Sequence, residues 1–120
     1  MKIAITATDK NLSSTIDPRF GRAAYFIVID SESGDYYAVE NSQNLNLPQG
    51  AGIQAAKTII ENQVEMLITG NCGPKAFQVL KSAGTDIITG AEGTVSQAFK
   101  MPRKKALKPA AAPNVEGHWV

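Results

Sequence analysis

Cysteine is nearly missing from this chain. Cys72 is the only one in 120 residues, so no disulfide can close within it. That fits a reducing compartment. Histidine is as scarce, with His118 alone, and Trp119 is the single tryptophan. A Cys–His nucleophile pair would need His118 to reach back from the far end of the chain. One cysteine and one histidine supply no CxxC or HxxxH spacing, so a zinc-type site built from such pairs is excluded. No apolar run approaches the roughly 18 residues of a membrane-spanning helix. Residues 1–6 run straight into a strand-like pattern, with no apolar leader and no small-residue cleavage site, and the protein is read as soluble and cytoplasmic. The formal net charge of +1 demands neither a nucleic acid nor a membrane as partner.

Motifs are missing too. GxxxxGK[ST] does not occur, which excludes a P-loop nucleotide hydrolase. Gly50-Ala51-Gly52 is too short for a dinucleotide fingerprint and follows no strand directly. No Ser-His-Asp set is evident.

What is present reads as one domain, residues 1–100, followed by a basic tail rich in Pro and Ala, residues 101–120. The body carries eight Lys and Arg against ten Asp and Glu. The tail carries Arg103, Lys104, Lys105 and Lys108 against Glu116. Its prolines and its composition predict a flexible segment.

Residues 2–8 form a short β-branched run that predicts a buried strand. Residues 24–30, Ala-Tyr-Phe-Ile-Val-Ile-Asp, give the clearest strand, and residues 31–34 a turn leading to a returning strand over 35–40. Residues 41–49 are a polar loop. Ile53, Ala56, Ile59 and Ile60 then recur at helical spacing. A buried strand is expected over 65–69. Pro74 suits the first position of a second helix, whose apolar face is Ala76, Phe77, Leu80 and Ala83 and whose end is Gly84. Residues 86–89 give a last strand. Thr94 with Gln97 reads as a capping box opening a third helix that reaches Lys100. The fold class is α/β: a ribonuclease H-like mixed sheet of about five strands with about three helices, the hairpin supplying one antiparallel member.

In such sheets ligands sit beyond the carboxyl ends of the strands. Four loops converge there: residues 9–23, 41–49, 70–73 and 90–93. Helix N-termini offer N–H groups and a positive dipole end. The cleft suits an anion, with Gly70, Asn71, Gly73 and Gly93 giving backbone access and Arg19, Arg22 and Lys75 giving charge. Cys72 lies in an exposed turn ahead of a helix, a setting that favours a thiolate and soft-metal ligation. The plain alternative is a small residue filling a tight turn. His118 is either a solvated tail residue or a second metal ligand delivered by a tail folding over the cleft. Asp17 is placed to hold the 17–22 loop through an arginine, with Phe20 plugged into the core. A ribonuclease H nuclease needs carboxylates on central strands for two metal ions, and this chain has Thr6, Thr8 and Thr69 there.

These motifs together resemble the nitrogenase iron–molybdenum cofactor biosynthesis family, of the NifX-like and NifB C-terminal type. The resemblance rests on Lys2-Ile3-Ala4-Ile5, Arg19-Phe20-Gly21-Arg22-Ala23 and residues 50–56. It continues in Gly70 with Gly73-Pro74-Lys75-Ala76-Phe77, and in Gly90 with Glu92-Gly93-Thr94-Val95. It implies a non-catalytic protein that binds or carries an iron–sulfur or iron–molybdenum cluster precursor. Relatives include the orange protein of sulfate reducers, which carries a molybdenum–copper sulfide cluster. Such cargo is anionic, in keeping with the cleft. Some relatives place a histidine before the helix-opening glycines, where this chain has Leu45-Asn46-Leu47-Pro48-Gln49. The competing reading is a protein–protein module whose basic tail docks a cluster-assembly ATPase.

Overall fold

The computed structural model describes residues 1–41 and 50–104, with side chains to residue 100. Its elements are β1 (Lys2–Ala7), β2 (Tyr25–Asp30), β3 (Tyr36–Glu40), α1 (Ala51–Glu61), β4 (Met66–Ile68), α2 (Pro74–Ser82), β5 (Asp86–Ile88) and α3 (Val95–Lys104). The strands form one sheet in the order β3-β2-β1-β4-β5. β1 pairs antiparallel with β2 and parallel with β4. β2 pairs antiparallel with β3, and β4 parallel with β5. β2 alone therefore runs against the rest, as the hairpin reading expects.

Both faces of β1 are covered, so its burial is nearly continuous rather than alternating. Ala4, Phe26, Val28, Leu67 and Ile87 face one way, onto Ala55, Ala56 and Ile59 of α1 and Phe77 and Leu80 of α2. Ile3, Ile5, Ile27, Ile29, Ile68 and Ile88 face the other way, onto Ile16 and onto Val95 and Ala98 of α3. The period of two along each strand divides these sets. The isoleucine-rich layer carries one helix, and the Ala/Phe/Leu layer carries two. Small buried residues, Ala55 and Ala56 on α1 and Ala76 on α2, let the two helices pack closely against each other.

The helices start as their sequences direct. Pro74 occupies the first turn of α2 and Gly73 is its N-cap. The Thr94 amide donates to Gln97 Oε1 at 2.9 Å, and the Gln97 amide to Thr94 Oγ1 at 3.2 Å, completing the capping box of α3. Three details differ from expectation. Ala83 is exposed, because α2 has reached its C-cap there. The buried face of α1 is centred on Ala55, Ala56 and Ile59 with Ala51 and Gly52, and Ile53 and Ile60 are only half-buried. α3 passes Lys100 and ends at Lys104. The tail beyond it, residues 105–120, lies outside the described residues.

At the hairpin turn the Gly34 amide donates to the Asp30 carbonyl at 2.8 Å. The amides of Glu32 and Ser33 donate to the Asp30 carboxylate and hold its pKa below the ordinary value. No described helix is long and apolar enough to cross a membrane.

Candidate functional site

The loops at the carboxyl ends of β1, β4 and β5 are hydrogen-bonded into one surface. After β1 the chain doubles back. The Thr8 amide donates to the Thr15 carbonyl at 3.0 Å, and Ala7 bridges Ile16. The Asp17 amide then donates to the Thr6 carbonyl at 3.0 Å. The loop continues across the end of β4, where Arg19 bridges Asn71 and the Phe20 amide donates to the Asn71 carbonyl at 3.1 Å. On the other side the Gly90 amide donates to the Gly70 carbonyl at 2.8 Å. The Ile16 amide donates to the Gly93 carbonyl at 2.9 Å, and the Val95 amide to the Ser14 carbonyl at 2.9 Å. Loop 9–23 is thus tied to the 70–73 turn and to the 90–93 turn.

Gly70 is what lets these backbones meet. A Cβ placed on it would lie 2.8 Å from Pro18 Cα and 2.9 Å from the Pro18 carbonyl oxygen, closer than carbon atoms tolerate. Gly93 is required differently. Its φ of +93° lies in the left-handed region, and a Cβ there would collide with the Gln97 side chain of the capping box. On the far side, Asn41 Nδ2 donates to the carbonyls of Ala23 at 2.8 Å and Gly21 at 3.3 Å. That ties the strand β3 exit to the Phe20-Gly21-Arg22 segment. Residues 42–49, the fourth expected loop, lie outside the described residues.

The expected site residues fall into distinct settings. Arg19 and Lys75 are exposed, and Arg22 and Asn71 are half-buried. Gly70 and Gly73 are buried parts of the turn, and Gly93 is exposed. Phe20 is fully buried, 5.5 Å from Phe26 ring to ring. Asp17 holds its loop by accepting the Arg19 backbone N–H at 3.1 Å, so its contact is to the backbone of that arginine and not to the guanidinium. His118 and Trp119 lie outside the described residues, as does the basic tail of the ATPase-docking alternative from residue 105 onward.

Cys72 requires a correction. The expected exposed thiolate is not present: the residue is 0% exposed and packs in the core layer with Phe20, Phe26 and Phe77. Its Sγ lies 3.8 Å from the Gly73 carbonyl. Burial pushes the thiol up to about 12. The helix N-terminus that was expected to lower it is outweighed, because the side chain points under the turn rather than out of it. Among the described residues no three His, Cys, Asp or Glu side chains lie together where they could hold a metal ion.

Two further residues belong to this region, Thr6 and Thr69. Both are 0% exposed. From the sequence alone they register only as non-carboxylate residues on the central strands. The available signal is a threonine directly after an apolar run in each case, Ile3-Ala4-Ile5 before Thr6 and Met66-Leu67-Ile68 before Thr69.

A sequence profile described as dinitrogenase iron-molybdenum cofactor matches residues 1–105. The chain belongs to the dinitrogenase iron–molybdenum cofactor family. Its structure superposes on the apo form of the orange protein from Desulfovibrio gigas with a TM-score of 0.92 and 40% identity, covering 95% of this chain and 96% of the other. It superposes on a Thermotoga protein, described as a candidate NifB protein of the DUF35 family, with a TM-score of 0.82 and 35% identity, covering 97% and 98%. An uncharacterized protein of Methanocaldococcus jannaschii is 31% identical over 103 residues, 84% of each chain. The NifX-like, orange-protein-like character expected from the motifs is borne out for this family member.

Proposed function

We propose that this protein is a cytoplasmic, non-catalytic carrier of an anionic metal–sulfur cluster or its precursor, serving metallocluster assembly. The cargo is an iron–sulfur, iron–molybdenum–sulfur or molybdenum–copper–sulfur species. It is bound at the surface formed by the 17–22 loop, the 70–75 turn and the 90–93 turn. The observation that carries this reading is a mismatch between ligand supply and charge supply. The described residues hold no chelating group of three, and the sole thiol is buried. Arg19 and Lys75 nevertheless stand exposed on the loops that close the sheet's carboxyl end, with Arg22 half-buried beside Phe20. Such a surface suits cargo that brings its own sulfide ligands and needs only counter-charge and N–H donors.

Arg19 and Arg22 would meet the anion from the loop, and Lys75 from the first turn of α2, where the dipole adds to its charge. Backbone at Gly73 and Gly93 would give the approach, while Gly70 is taken up by Pro18 packed against it. The strand order, with β2 alone reversed, supports a ribonuclease H-like reading of the fold. Nuclease chemistry of that fold would need carboxylates on the central strands, and β1 and β4 carry none.

The test is reconstitution of the whole chain, once with tetrathiomolybdate plus copper and once with iron plus sulfide, followed by gel filtration. Visible absorption should travel with the protein in at least one case. Colourless protein from both would refute a carrier role.

A further inference from the structure

Thr6 and Thr69 are buried hydroxyls in a layer otherwise made of apolar side chains. A buried hydroxyl is tolerated only where it is hydrogen-bonded. Thr6 Oγ1 lies 2.7 Å from the Asp17 carbonyl oxygen and 3.0 Å from Thr69 Oγ1. Each hydroxyl has one proton. The shorter contact takes the Thr6 proton to the Asp17 carbonyl, which leaves the Thr69 hydroxyl to donate to Thr6 Oγ1. Thr6 also accepts the Asp17 amide on its own carbonyl at 3.0 Å. Asp17 is therefore gripped through both of its backbone polar groups by one residue of β1, and Thr69, the residue that follows β4, braces it.

The grip continues outward. The Asp17 carboxylate accepts the Arg19 amide at 3.1 Å, and the next amide, that of Phe20, donates to the Asn71 carbonyl at 3.1 Å. Arg19 is thus fixed on both sides of its own backbone while its side chain stands exposed. Pro18 between them is pressed against Gly70. A valine at either threonine would fill the same space without the hydroxyl. The sequence instead places two hydroxyls where the core alone would be served by methyl groups.

We propose that Thr6 and Thr69 are positioning residues, a buried hydroxyl relay that sets Arg19 for the anionic cargo. The assignment rests on the carrier reading above. Both threonines are 0% exposed, so their effect passes through Asp17 to the Arg19 backbone.

The experiment uses Thr6→Val, Thr69→Val and the conservative Thr6→Ser in the full chain. Two readouts keep the relay separable from the carrier reading. The first is amide hydrogen exchange without cargo. Thr6→Val should raise exchange at Arg19 and Phe20 roughly tenfold while the amides of Ile27 and Leu67 keep theirs, and Thr6→Ser should stay near wild type. The second is binding of tetrathiomolybdate, followed by its visible circular dichroism. Thr6→Val and Thr69→Val should bind roughly tenfold more weakly and with an altered dichroic signature, and Thr6→Ser should restore both. Unchanged exchange at Arg19 and Phe20 in Thr6→Val would overturn the relay even with binding intact. Exchange that rises equally at Ile27 and Leu67 would reduce it to general stability and overturn it too. Wild-type protein that binds no thiometallate, together with a local rise in exchange, would sustain the relay's hold on the loop and sink the carrier reading alone.

Discussion

The Cys72 thiol sits at the start of α2, where a helix N-terminus favours a thiolate, yet desolvation in the Phe20–Phe26–Phe77 layer prevails and leaves it neutral. A neutral, enclosed thiol should alkylate at pH 8 at least tenfold more slowly than a small free thiol, by the thiolate fraction alone. Its effect on stability has a definite sign. The folded value, about 12, is raised above the unfolded value of about 8.5. The contribution is then fully present below pH 8.5 and falls as pH rises toward 12. From pH 8 to pH 10, urea melts of wild type should lose about 1–2 kcal/mol more than those of Cys72→Ala. Equal losses would show that the thiol ionises freely in the fold. Gly70 makes a second residue-scale claim. Gly70→Ala puts a methyl 2.8 Å from Pro18 Cα, a backbone atom that cannot swing aside. The expected cost is about 1–3 kcal/mol in urea unfolding, with weakened thiometallate binding. A variant as stable as wild type would mean that the loop moves away without consequence.

At the scale of elements, the strands and helices were legible because their signals are local. The β-branched runs gave β1 and β2, Pro74 gave the start of α2, and Thr94 with Gln97 gave the start of α3. Removing that cap by Thr94→Ala should cost about 1 kcal/mol in thermal or urea unfolding, and Gln97→Ala somewhat less. The site was only partly legible. Its charged residues and glycines could be read from their loops, and Phe20 was correctly expected in the core. The direction of the Cys72 side chain could not be read, because the turn that tucks it inward depends on Pro18 and Phe20 arriving from residues fifty positions earlier. The Thr6–Thr69 contact was hidden for the same reason: the two residues are 63 apart in sequence and meet only through the parallel pairing of β1 with β4. Spacing along the chain reports which face a residue occupies, and it reports cross-strand partners only once the strand order is known.

At the scale of the whole molecule, charge and ligand chemistry divide unevenly. The described residues offer cations on the loops that close one end of the sheet and no set of metal-ligating side chains. Binding that depends on exposed cations should weaken as salt rises, whereas a covalent metal–thiolate bond would be largely indifferent to it. A thiometallate titration at low and high ionic strength checks this directly. Membership of the dinitrogenase iron–molybdenum cofactor family and the 0.92 superposition on the apo orange protein give the fold a precedent. The most direct measurement compares cargo retention by Cys72→Ala with that of the double variant Arg19→Ala/Lys75→Ala after anaerobic reconstitution, reading bound molybdenum per protein after gel filtration. Cys72→Ala should retain cargo at close to the wild-type level while the double variant loses roughly tenfold or more in affinity. Loss in Cys72→Ala with full retention in the double variant would place the metal on the sulfur and contradict a cluster held by charge.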